Sequence, residues 1–121
     1  MAAGKYDITI EQGATFTLNL SYKDSAGDVL DLSSGYTSRM KIRESVGGTI
    51  ITSTESGDSP KNTTSIALAA SGNNIIVTIS ATNTATFDFD NAVYDLELVA
   101  GAGVIDRVIE GRVFLSKEIT V

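Results

Sequence analysis

Residues 5–22, Lys5-Tyr-Asp-Ile-Thr-Ile-Glu-Gln-Gly-Ala-Thr-Phe-Thr-Leu-Asn-Leu-Ser-Tyr22, carry an apolar side chain at every second position, twice over. Tyr6, Ile8 and Ile10 alternate with Asp7, Thr9 and Glu11. After Gln12 and Gly13, Phe16, Leu18, Leu20 and Tyr22 alternate with Thr17, Asn19 and Ser21. Successive side chains of a strand point to opposite faces, so this period of two describes strands with one face in oil and one in water. Two such strands, Tyr6–Glu11 and Thr15–Tyr22, joined through Gln12-Gly13-Ala14, set the expectation for the chain.

The same pattern extends outward from this stretch. Lys23-Asp24-Ser25-Ala26-Gly27-Asp28 has the composition of a turn, with Asp and Ser able to bond nearby backbone and Gly able to take positive φ. A short Val29–Leu32 segment leads to a strand at Tyr36–Arg43, and Gly47-Gly48 separates that from Thr49–Thr54. Thr64–Ala69 and Asn74–Ser80 form a hairpin across Ser71-Gly72-Asn73. Ala92–Val99 and Val104–Phe114 form another across Gly101-Ala102-Gly103. Leu115–Val121 either continues that last strand past a bulge at Gly111 or begins a new one. Ser80 can cap a helical turn near residues 80–86. The expected fold is all-β: one domain over residues 1–121, a single antiparallel sandwich of about 7–9 strands. Its inward set is Ile8, Ile10, Phe16, Leu18, Leu20, Met40, Ile42, Ile66, Leu68, Ile75, Val77, Ile79, Tyr94, Leu96, Leu98, Ile105, Ile109 and Val113.

Composition then narrows function. The 121 residues carry a formal charge of −6 and a pI near 4.4, a field that repels phosphates and anionic lipid. Nucleic acid and membrane are therefore not expected as partners. Neither cysteine nor histidine occurs, so the chain lacks a thiol nucleophile, thiolate ligands, the usual neutral-pH general base and the commonest transition-metal ligand. No phosphate loop, dinucleotide fingerprint or zinc spacing is present, and no cofactor or small-molecule substrate is expected. Met-Ala-Ala-Gly-Lys-Tyr-Asp lacks the apolar core of a secretory signal, which sets the expectation of synthesis and folding in the cytoplasm.

Several constellations have a chemical reading and a plainer one. Ser116 and Lys117 are neighbours on a strand and so point to opposite faces, which denies them a nucleophile–base role. Asp88, Asp90 and Asn91 could hold a hard cation, but the glycine and the distant glutamate of a calcium loop are missing, and a solvated loop between two phenylalanines is expected. Arg39, Lys41 and Arg43 share one strand face, as do Asp95 and Glu97. In a sandwich of immunoglobulin-like strand order these two strands are neighbours, and the rows form a ladder of opposite charges. Asn19-Leu20-Ser21 and Asn62-Thr63-Thr64 match the glycosylation pattern by chance in a chain without a signal. Tryptophan is absent, and a glycan-binding module would need Tyr22, Tyr36, Phe87 or Phe89 exposed over a shallow pocket. An enzyme would need a buried carboxylate pair in a cleft, and no acid falls in an apolar strand interior.

The most informative feature is negative. From Asn62 to Phe87 no residue is charged, although two strands lie there. Free-standing proteins guard strand edges with charge or proline. Either these strands are interior to the sheet, or a neighbouring subunit covers them. Ile66 and Leu68 on the first strand and Ile76 and Thr78 on the second are the candidate assembly contacts, with the termini and the loop Val46–Thr63.

Taken together, Tyr6-Asp-Ile-Thr-Ile-Glu-Gln-Gly-Ala-Thr-Phe16, Gly35-Tyr-Thr-Ser-Arg-Met-Lys-Ile-Arg43, Tyr94-Asp-Leu-Glu-Leu98 and Arg107-Val-Ile-Glu-Gly-Arg-Val113 resemble the small β-sandwich proteins encoded among tailed-bacteriophage structural genes. More distantly they are similar to the N-terminal domain of baseplate upper proteins. The resemblance covers most of the chain outside residues 46–63. Asp31-Leu-Ser-Ser-Gly-Tyr36 is one residue longer than the family's Asp-Leu-Thr-Gly-Tyr turn. The resemblance implies a non-enzymatic virion component, immunoglobulin-like in fold and bound in many copies to other phage structural proteins. It would be an adaptor in the tail, neck or baseplate, with a capsid decoration (cement) protein as the alternative and a receptor-binding module as a lesser one.

Overall fold

The computed structural model describes residues 4–55, 63–101 and 103–119. Nine strands and one helical turn follow in chain order: β1 Gly4–Lys5, β2 Ile8–Glu11, β3 Phe16–Leu20, β4 Tyr36–Arg43, β5 Ile50–Ser53, β6 Ser65–Leu68, β7 Ile75–Ile79, α1 Ala81–Thr84, β8 Asn91–Ala100 and β9 Ile105–Ser116. They make two sheets. The larger runs β5-β4-β8-β9, with β1 and β2 both against β9, and the smaller runs β3-β7-β6. Ile8, Ile10, Met40, Ile42, Tyr94, Leu96, Leu98 and Val113 from the larger sheet meet Leu18, Ile75, Val77 and Ile79 from the smaller in one core. Each side chain fully buried there contributes roughly 1.5–3 kcal/mol before chain entropy is subtracted. The sandwich expected from period-two alternation is thus present, with a sheet that is mixed rather than antiparallel.

The parallel pairing is the main departure, and it has a visible chemistry. β1 and β2 are one extended segment in constant register with β9, Gly4 opposite Ile109 and Ile8 opposite Val113. The ladder is interrupted at Tyr6 and Asp7. The Tyr6 amide still donates to the Glu110 carbonyl at 2.9 Å. In a regular parallel ladder the Arg112 amide would then donate to the Tyr6 carbonyl. Instead the Arg112 amide donates to Asp7 Oδ1 at 2.9 Å, and the Tyr6 carbonyl accepts from the buried Tyr94 hydroxyl. One carboxylate and one phenol replace the missing rung. Burial, and then the Asp7 charge, push the Tyr94 phenol above its usual pKa, so it remains a donor. The Tyr6 carbonyl can swing inward because position 111 is glycine. A Cβ there would collide with that carbonyl and stand 2.9 Å from Asp7 Oδ1.

Polar side chains with no place in an apolar alternation fasten the loops. Asn74 is fully buried. It accepts from the Tyr22 amide at 2.7 Å and donates to the carbonyls of Tyr22 and Leu30 at 2.9 and 2.8 Å, which ties the 21–30 loop to the start of β7. Thr84 accepts from the Gly13 amide at 3.1 Å and donates to the Ala14 carbonyl at 2.8 Å, holding the β2–β3 turn on α1. Ser80 caps α1 as expected, its hydroxyl accepting from the Asn83 amide at 3.2 Å.

The short Val29–Leu32 segment leads to β4 outside the sheets: Val29 makes a single bridge to Lys23, and Leu32 is buried with its amide on the Ala69 carbonyl at 3.1 Å. Two local expectations are corrected. The bulge in β9 is not at Gly111. Leu96 pairs with Ile109 and Glu97 with Arg107, so Val108 is the extra residue. A one-residue insertion flips every side chain beyond it. Ile105, expected inside, is therefore 49% exposed, and Leu115 simply continues β9 to Ser116.

Replacing Gly111 by Ala should lower stability by about 1–3 kcal/mol in urea unfolding, because a methyl group must displace the Tyr6 carbonyl. Tyr94→Phe acts on the same rung, so the double variant should lose less than the two singles added. Additive losses would show that the two positions support separate parts of the seam.

Candidate functional site: a charge lattice on the larger sheet

The strand pairings set charged side chains in rows across the outer face of the larger sheet, because residues directly opposite on paired strands share a face. Arg39, Glu97 and Arg107 form the first row. Lys41, Asp95 and Glu110 form the second, with Lys5 opposite Glu110, and Arg43, Val93 and Arg112 form the third. Six of the nine cations of the chain, with Glu55, Asp95, Glu97 and Glu110, line one concavity of about 770 Å³ on this face.

The expected ladder of Arg39, Lys41 and Arg43 against Asp95 and Glu97 is present as register on neighbouring strands, and its bonds are selective. Arg39 Nε donates to Glu97 Oε1 at 2.6 Å. Lys41 lies opposite Asp95. Arg43 has no carboxylate opposite it and donates instead to the Gly48 carbonyl at 2.8 Å. The remaining pairs come from residues that the alternation does not flag. Lys5 Nζ reaches Glu110 at 2.8 Å, and Arg107 reaches Asp95 at 3.4 Å and Glu110 at 3.1 Å. Arg107 faces this way only because of the Val108 bulge. Without that extra residue it would point with Ile109 into the core.

Two carboxylates in the lattice have shifted pKa values of opposite sign. The Glu110 carboxyl is held below its usual range by the hydrogen bond from Lys5 and then that from Arg107. The Asp95 carboxyl is raised, first by burial between its neighbours and then by the Glu97 charge, with Arg107 opposing. A raised carboxyl can serve as a general acid. Here it is hemmed in by Arg107 and Lys41 within a lattice of ion pairs.

The other singled-out residues lie elsewhere. Asp88 and Asp90 flank the Lys117 ammonium at 3.7 and 3.3 Å, and among the described residues no group of carboxylates is arranged to hold a metal. Ser116 ends β9 and is exposed. Phe87 is buried. Tyr22, Tyr36 and Phe89 pack against the core, so these four rings form no open platform. Asn19 is exposed on β3, and Asn62 lies outside the described residues, as do positions 56–61 of the 46–63 loop.

Among the candidate contacts, Ile66 and Leu68 pack against the core, so their own sandwich already uses them. Ile76 and Thr78 are half-buried on the opposite face of the smaller sheet. They lie in register with Asn19 and Thr17 on one side and Ala67 and Ser65 on the other. The smaller sheet contains no charged residue, while the outer face of the larger one carries both signs in rows. Comparison with protein families and with curated proteins finds no match for this chain.

Asp95→Asn should raise the melting temperature at pH 7. An acid whose folded pKa is raised gives stability that is present below its unfolded pKa and lost as pH rises through the folded value. The amide avoids that loss, so its advantage should shrink on acidification and vanish below about pH 3.9. Thermal melts from pH 3 to 8 check this. An Asp95→Asn chain that is less stable at pH 7 would mean the Arg107 pair outweighs burial.

Proposed function

We propose that this domain is a non-enzymatic structural component of a tailed-phage particle, an immunoglobulin-like sandwich acting as an adaptor in the tail, neck or baseplate. It works through contacts with other structural proteins in many copies. The observation that carries this reading is the charge-free smaller sheet, with both its edge strands, β3 and β6, lacking the charges and prolines that normally guard an edge. The motif resemblance supplies the particle. The inward packing of Tyr22, Tyr36 and Phe87 weighs against a glycan platform.

Size bears on how such a surface works. Three strands about 4.8 Å apart, with strands of about five residues at roughly 3.3 Å each, offer a face of only about 200–250 Å². A stable pairwise interface buries about 800 Å² per partner. The face alone does not hold two free copies together, and occupancy in a particle comes from several small contacts acting at once.

Two measurements test this. The purified chain should run as a monomer at micromolar concentration, and electron microscopy of labelled particles should find it at symmetric positions on the tail or baseplate. Labels on an icosahedral shell would make it a decoration protein instead, and absence from particles would end the structural reading. Ile76→Lys with Thr78→Lys, on the face turned away from the core, should leave the chain folded at a cost of about 1–3 kcal/mol, yet abolish incorporation. Normal incorporation would clear the smaller sheet of any role.

A further inference from the structure

We infer that the end of the larger sheet's outer face where Arg43 and Arg112 flank Val93 is a seat for the acidic loop 24–31 of a second copy of this chain. The inference rests on the multi-copy reading above and names one of its contacts. In the first two rows of the lattice each cation has a carboxylate opposite or beside it. In the third neither cation does. Across it stand two guanidiniums with a valine between, and among the described residues neither is within ion-pair reach of a carboxylate. Of the acids around it, Glu44 and Glu55 make no ion pair with either guanidinium, and two others are engaged elsewhere. Asp7 spends Oδ1 on the Arg112 backbone amide, and Asp95 is paired with Arg107. Beside the seat, on the rim of the same concavity, Val46 is 93% exposed, an apolar contact that a monomer does not use.

Charge complementarity selects the occupant. β4 runs from Tyr36 to Arg43, so the loop that precedes it lies at the opposite end of the sandwich from the seat. That end is acidic. Asp24, Asp28, Asp31 and Asp106 are all exposed there, with Lys23 the cation among them. The loop is also stiff: Asp24 Oδ1 accepts the amides of Ala26 and Asp28 at 2.9 and 3.0 Å, and the Asp24 amide donates to the Asp28 carbonyl at 2.9 Å. Asp24 Oδ1 is held in place by these amides, as Asp31 Oδ1 is by the Ser33 amide, and Asp28 stands beside Asp24 on the same loop. The exposed pair Asp88 and Asp90 shares the Lys117 ammonium and lies at the same end as the seat. Copies related by a shift along the strands bring the two surfaces together. Such a heterologous contact propagates into a ring or a stack, which suits a particle and limits what a free pair gains.

The test is sedimentation equilibrium of the full chain at high concentration, in low and in high salt. Wild type should associate weakly at low ionic strength and lose that association when the Debye length falls to a few ångströms. Arg43→Glu with Arg112→Glu, and separately Asp24→Lys with Asp28→Lys, should each weaken association at least about five-fold, and an equimolar mixture of the two variants should restore it. A second readout does not depend on charge reversal being tolerated. In the doubly substituted chain Arg43→Lys with Arg112→Lys, carbodiimide should join either of the two introduced amines to Asp24 or Asp28 between chains, as mapped by mass spectrometry. Wild type that stays monomeric in low salt, reversal variants that associate like wild type, or crosslinks that avoid the 24–31 loop would each overturn the proposal. Such failure with the chain still found in particles leaves the structural reading standing. Salt-sensitive association of a chain absent from particles does the reverse.

Discussion

The sandwich depends on a join between the two ends of the chain. β1 and β2 lie against β9 at a separation of 105 residues, so this pairing forms only once most of the chain has been organised. The join carries Ile8 and Ile10, both buried, into the core, and without it the larger sheet would end at β9 with its inner face open. Its weak point is the broken rung at Tyr6 and Asp7. There Tyr94 donates in place of an amide, Asp7 accepts in place of a carbonyl, and Gly111 leaves the space. These three residues come from three separate segments of the chain and are useful only together. A buried carbonyl without its donor costs on the order of 1–3 kcal/mol, a sizeable fraction of a margin of about 5–15.

The same seam ties the core to the charged face. The Asp7 carboxylate that completes the rung lies beside Arg112, and Lys5, two residues earlier, reaches Glu110. The Val108 bulge in β9 has a comparable double effect. It sends Ile105 to solvent and brings Arg107 to Asp95 and Glu110. A bulge re-aims side chains at the cost of one unpaired residue. In this sheet the result is a lattice in which every cation of the first two rows has a carboxylate opposite or beside it, while the third row has none.

How much of this can be read from sequence follows the range of the interaction. Alternation is local, so β4 emerges with the bounds the pattern gives, Tyr36–Arg43, and the inward residues of β2, β3, β7 and β8 are found buried or half-buried. Opposite charges on two alternating strands are enough to propose the Arg39–Glu97 pair. Parallel pairing of the chain ends leaves no local mark, since Tyr6–Glu11 reads equally well as an antiparallel strand. Glycine often marks a bulge, which makes Gly111 the natural place to expect one. The bulge sits instead at Val108, while Gly111 answers to the approach of a carbonyl from a strand more than a hundred residues away. Asn74 and Thr84 escape a sequence reading for a related reason: a buried polar side chain is recognisable only when the loop it ties down is known.

The contrast between the two sheets is the feature that bears most on function. Stability alone does not require it. Exposed ion pairs contribute little, typically under about 1 kcal/mol each, so the lattice is not what holds the fold together. A charge-free sheet with open edges is, if anything, a hazard to a free-standing protein. Both features have a use when the molecule is one of many copies. The neutral sheet can be covered without desolvating ions, which is the expensive step in burying a polar surface. The ordered rows on the other sheet restrict which neighbour, and in which register, can approach, because a misplaced copy sets like charges against each other. On the proposed reading, one surface tolerates burial while the other discriminates between neighbours.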